Sequence, residues 1–142
     1  VSASALCAAV LALGQPAAAP DVSAQTCADV VRVALEEGVD PVLAAALAWH
    51  ESRLSPTAIS KRGARGALQV MPGTLRRCRE ARGTAGCGLI RAGVVELGRL
   101  LGRHTVERAV CHYNGGNTCG PLSLRWARRV LRTAAELRGG ET

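Results

Sequence analysis

The chain has 142 residues, with 18 Lys and Arg against 11 Asp and Glu, for a net charge of +7. That length supports one ordinary domain and leaves no room for a second of typical size. The basic balance favours polyanionic partners such as nucleic acid, anionic lipid or an acidic wall polymer. Phe is absent and the aromatics are only Trp49, Tyr113 and Trp126, poor material for stacking bases, and no nucleic-acid motif appears.

In chain order, "SALCAAVLALGQPAAAP" is an apolar run ending in small residues at Ala17, Ala18 and Ala19. It fits the core and cleavage region of a secretory leader and is too short to span a bilayer. Residues 1–20 are therefore expected to be a leader, with an alanine-rich mobile tail as the plain alternative, and residues 21–142 the domain, exported to the periplasm or the extracellular space. Leu6 stands where a lipoprotein anchor at Cys7 would need a small residue, so no such anchor is expected.

Removal of a leader leaves Cys27, Cys78, Cys87, Cys111 and Cys119, a density that makes sense where disulfides persist. Their spacing, and that of His104 and His112, does not complete a zinc site, so neither metal nor cofactor is expected. Two disulfides and one odd thiol are expected: Cys78 with Cys87 and Cys111 with Cys119, with Cys27 to Cys87 as a rival pairing.

Thr26 as a cap, Val30, Val33 and Ala34 on one face and Gly38 as a stop predict an amphipathic helix over 26–37. Asp40 and Pro41 restart the chain, and "VLAAALAWHESRL" is apolar nearly all round, as a central buried helix is; Pro56 is the expected end. Gly63, Gly66 and Gly73 in "SPTAISKRGARGALQVMPG" predict loops with two short strand-like pieces. Further helices are predicted from Pro72 toward Arg82, over "LIRAGVVELGRLL", from Thr105 to His112, and, after a turn "YNGGNTCGP", from Leu122 to Arg138. The last is basic, and its expected form is a solvated arginine face with Trp126, Val130 and Leu137 inward. The fold class is mainly α, a helical globule with one loop-rich groove.

Glu51 shares its helical stripe with Ala44, Leu47 and Ala48. A carboxyl buried there would hold its proton to higher pH, as a general acid requires. The plain alternative is that Glu51 turns outward or pairs with Arg53 or another arginine. No acid follows until Glu80, so the adjoining loop offers none of the second carboxylate that ordinary glycoside hydrolysis uses.

"HESRLSPTAISKRGARGALQVMP" resembles the "ES…S..GA.GLMQ.MP" pattern of the soluble lytic transglycosylase domain, which is related to goose-type lysozyme. "LIRAGVVELGRLL" resembles its "NI..G..YL..L" helix and "AVCHYNGG" its "A..YN.G" element, in the same order. The resemblance implies a lysozyme-like fold that binds peptidoglycan glycan strands and cleaves between N-acetylmuramic acid and N-acetylglucosamine. It implies Glu51 as single acid and base, with closure of a 1,6-anhydro ring on the muramic sugar. Ser60, Gln69, Met71, Tyr113 and Asn114 would bind substrate: Ser60 at the N-acetyl group, Gln69 through its amide, Met71 against a ring, Tyr113 with its hydroxyl near the carboxylate, and Asn114 at the adjoining turn. Ser52 would bond locally, and Gly63 and Gly66 would permit the tight loop. His50 and His112 are left out of the site. Leu89 replaces the pattern's asparagine and Glu96 stands at its tyrosine, which puts one brace of the site in doubt; the cysteine pairs could replace it. A water-using muramidase would need Glu80, Glu96 or Glu107 near the glycan, and a non-catalytic wall-binding or secretion-assembly protein is the alternative from another class. The expected state is a monomer without an integral membrane span in its mature form, with a secretion-apparatus partner left open.

Overall fold

The computed structural model describes residues 2–139; residue 1 and residues 140–142, the outer ends of the two expected segments, lie outside the described residues. Seven helices are described: α1 (Ala3–Leu11), α2 (Pro20–Glu36), α3 (Pro41–Ser52), α4 (Pro72–Arg82), α5 (Leu89–Leu101), α6 (Val106–Gly115) and α7 (Pro121–Gly139). The extended structure among the described residues consists of two isolated antiparallel bridges, Ile59 with Arg65 and Arg65 with Val70, inside the loop between α3 and α4. The fold is a mainly helical, lysozyme-like α globule.

The core is organised around α3. Its residues from Val42 to Trp49 are all buried, and α1, α2 and α7 pack on it. An all-round apolar sequence demands this placement, since each fully buried leucine such as Leu47 contributes about 1.5–3 kcal/mol that exposure would forfeit. Asp40 fixes the start of α3: one carboxylate oxygen accepts from the Val42 N–H at 2.9 Å, and the other meets Arg138 at the end of α7. The preceding helix stops where Gly38 turns left-handed (φ 71°), with Val39 N–H donating to the Ala34 carbonyl at 2.9 Å and Gly38 N–H to Leu35 at 3.3 Å. That paired closure leaves the α2–α3 corner little freedom. Arg91 then ties α5 to it, at 2.6 Å from Glu37.

Several boundaries differ from those expected. Helix α2 begins at Pro20, and Thr26 lies inside it, its hydroxyl donating to the Val22 carbonyl at 2.8 Å, so it caps nothing. Helix α3 ends at Ser52, before Pro56, because Arg53 and Leu54 both adopt positive φ (52° and 64°). Tyr113, Asn114 and Gly115, expected in a turn, complete α6, which Gly116 terminates at φ 69°.

The cysteine expectation also changes. Cys78–Cys87 and Cys111–Cys119 are bonded as expected; Cys27, the odd thiol expected once a leader is removed, is bonded to Cys7 in the chain that keeps residues 1–20. The run expected to be removed as a leader folds as α1, with Leu6, Cys7 and Val10 buried in the common core. An alanine-rich run of this length suits a leader and a small buried helix equally, and the bond to Cys7 describes the chain that still carries it. Among the described residues no helix is long and apolar enough to cross a membrane.

Candidate active site

Glu51 is on the last turn of α3, and its half-buried carboxyl opens on a cleft of about 710 Å³. Ser60, Gln69, Met71, Tyr113 and Asn114 line the same cleft, so the structure brings together residues spread from 51 to 114. Burial alone pushes the Glu51 carboxyl up to about 8 from the usual 4.5. No ion pair offsets it among the described residues: Arg53 instead lies 5.0 Å over the Trp49 ring and bonds the Gln15 carbonyl at 3.3 Å. A carboxyl without a cation, set in an apolar wall, keeps its proton at neutral pH.

The loop under the cleft hangs from the end of α3. Ser52 Oγ donates to the Ala67 carbonyl at 2.8 Å and accepts from Ser55 N–H at 3.1 Å, which fastens the loop's far strand beside Glu51. Gly63 (φ 88°) and Gly66 (φ 78°) turn the chain where side chains would be strained. Ser60 Oγ accepts from Ala64 N–H at 3.0 Å, leaving its own hydrogen to be donated into the cleft.

The hydrogen bonds give three of these residues specific partners. The Gln69 amide nitrogen donates to the carbonyls of Gly66 (3.0 Å) and Ala58 (3.2 Å), so what it can offer a sugar is its acceptor oxygen. Tyr113 OH donates to the Leu68 carbonyl at 2.7 Å and so does not donate to Glu51. Burial first, then the charges of Glu51 and Glu96, hold that phenol well above its ordinary range, so it stays a neutral hydroxyl whose lone pairs can accept from a protonated carboxyl. Asn114 belongs to α6 and accepts from Ser123 Oγ at 2.9 Å, a bond that spans the turn between α6 and α7.

Leu89 does not line the cleft; it packs against Gly66 and a second, shallower pocket between α4 and α5. Gly93, the glycine of the same helix, sets how closely α5 meets the loop. A Cβ there would lie 2.8 Å from Leu68 Cβ and 3.0 Å from Tyr113 OH, so only glycine lets α5 approach the loop this closely. Gly93→Ala is expected to destabilise: overpacking costs about 1–3 kcal/mol, against about 1 kcal/mol returned by alanine's helix propensity. Urea unfolding checks the sign.

Sequence reasoning missed much of the opposite wall. Arg62, Arg77, Arg99 and Arg103, with the stacked rings of His104 and His112 (centroids 4.6 Å apart), also line the cleft. Of the acids weighed as a second carboxylate, Glu80 faces the other pocket and Glu107 lies 3.6 Å from Arg128. Glu96 does reach the cleft, but Arg99 holds both its oxygens at 2.6 and 3.1 Å and Arg77 approaches at 3.4 Å. Among the described residues no group of three or more His, Cys, Asp or Glu could hold a metal ion.

The helical architecture, with a proton-holding carboxyl at the end of a buried helix facing the cleft, is that of a lysozyme-like domain. Residues 31–121 match the family described as the transglycosylase SLT domain, and the chain belongs to that family. Comparison with curated proteins gives no match.

Proposed function

We propose that the protein is an exported peptidoglycan lytic transglycosylase with Glu51 as its single acid and base. The family supports transglycosylase-type action on peptidoglycan. The observation that carries the finer reading is Glu51 itself: a carboxyl that burial keeps protonated on the wall of the cleft, while Glu96 has its oxygens occupied by guanidinium groups. One proton donor without a free second carboxylate suits a reaction that the substrate completes with its own atoms. Glu51 protonates the bridging oxygen as positive charge develops at the muramic anomeric carbon, which the substrate's N-acetyl oxygen assists. The resulting carboxylate takes the proton of the same sugar's C6 hydroxyl, and the 1,6-anhydro ring closes. The disulfides Cys78–Cys87 and Cys111–Cys119, which do not depend on residues 1–20, suit an oxidising compartment and support export.

Because Glu51 must begin as an acid, the rate is expected to fall as pH rises through about 8, its raised value. Initial rates of muropeptide release across that range check this. Mass spectrometry of digested wall tests the reaction itself: anhydro-muramic ends support transglycosylation. Reducing ends would point to hydrolysis, the reading that Glu96's place in the cleft favours, with Glu96 released from its arginines to serve as base.

A further inference from the structure

We propose that the arginines of the cleft receive carboxylates carried by the glycan strand, so that the protein chooses its cutting sites by charge on the muramoyl residue. This rests on the glycan-cleaving reading above and adds what that reading does not specify, the feature of the strand that is recognised.

Arg62, Arg77, Arg99 and Arg103 face the cleft, supplied by the loop, α4, α5 and the turn after α5. Against them stand two acids. Glu51 is neutral over most of the working pH range, and Glu96 is engaged by Arg99 and Arg77. The Glu96 side chain is 14% exposed whereas those of Arg99 and Arg77 are 47% and 63% exposed. The carboxylate thus sits behind the two guanidinium groups and holds them at the surface of the wall. Arg62 and Arg103 are exposed and carry no ion pair among the described residues. The lining is therefore cationic, with part of it ordered before any ligand arrives, which lowers the entropy cost of binding.

A backbone of N-acetylated hexosamines has no charge to meet such a wall, and its hydroxyls and amides need only neutral donors. Guanidinium groups match carboxylates in shape and charge. In this polymer carboxylates hang from the muramoyl residue. They are the lactyl group's own where the stem peptide has been removed, and those of the stem peptide where it remains. Both sources present the same chemistry at the same sugar.

The test uses Glu51→Gln protein, so that ligand stays uncut, titrated calorimetrically at low salt with three glycan oligomers of equal length. One bears stem peptides, one is peptide-free with free lactyl carboxylates, and one is peptide-free with those carboxylates amidated. At least one charged oligomer is expected to bind about tenfold more tightly than the amidated one, as charge-assisted bonds allow. That advantage should disappear in an added Arg62→Gln/Arg103→Gln pair and fade in high salt. Both positions are exposed, and circular dichroism checks the fold; each single variant serves if the pair unfolds. Preference for the peptide-free charged oligomer assigns the lactyl carboxylate, preference for the peptide-bearing one the stem, and either supports the proposal. Equal affinity for all three, or a preference that the arginine variants leave unchanged, overturns it while leaving glycan cleavage standing. If none of the three binds, both readings fall.

Discussion

Glu51→Gln is expected to lower muropeptide release by about 10²–10⁴-fold, the usual contribution of a positioned acid–base group. It is also expected to leave the protein as stable as before at low pH and more stable near neutrality. The first half follows from chemistry: an amide can neither protonate the bridging oxygen nor take the C6 proton. The second follows from linkage. Burial raises the folded-state value to about 8 from 4.5, so below 4.5 the carboxyl is protonated in both folded and unfolded chains and costs nothing. As pH rises from 4.5 the unfolded chain ionises while the folded one does not, so stability falls through that window and levels off above about 8. Glutamine removes the slope. Melting curves from acid to mildly alkaline pH, run beside release assays, therefore separate lost chemistry from lost fold. Parallel loss of activity and stability in the variant, or unchanged release, would refute the role given to Glu51.

The register of Glu51 with Ala44, Leu47 and Ala48 marks a carboxyl that can be buried but equally allows one that turns outward or pairs with an arginine; the resemblance to the family pattern is what singles it out as the acid. Helix α5 was plain, since its apolar spacing is regular from Ile90 to Leu101. The opposite wall was not readable. Arg77, Glu96, Arg99 and His112 come from three helices and look, one by one, like solvated surface; only the packing of α4, α5 and α6 turns them into one lining. His112 reads in sequence as a helix residue beside Tyr113, yet its ring stacks on His104 at the cleft. Bond direction is a further limit. Sequence pattern puts Tyr113 and Gln69 at the site but cannot tell that Leu68, Gly66 and Ala58 carbonyls take their hydrogens. What these residues do for the loop emerges only when the loop's backbone polar groups are accounted for.

Cys7→Ser is expected to destabilise the folded protein by about 3 kcal/mol under oxidising conditions, the loop-entropy value for a bridge between residues 20 apart in sequence. The effect should reach the active site, because the segment after α1 is fastened to the turn that follows Glu51. Ala17 N–H donates to the Arg53 carbonyl at 3.1 Å, Arg53 bonds the Gln15 carbonyl, and Gly14 lies against Trp49. Arg53 holds a left-handed conformation (φ 52°) at the end of α3 that an arginine adopts only at a cost, and these contacts add to the bond from its N–H to the Trp49 carbonyl. Loosening α1 should therefore free the end of α3 and misplace its carboxyl, lowering kcat more than substrate affinity. Denaturant titration measures the first effect and steady-state kinetics the second. Thiol titration of the purified, unreduced parent protein gives the decisive companion result. A chain that keeps α1 shows no free thiol, whereas cleavage after Ala19 removes Cys7, frees one thiol at Cys27 and leaves the Arg53 turn held by its N–H to the Trp49 carbonyl (2.9 Å) and its contact with the Trp49 ring.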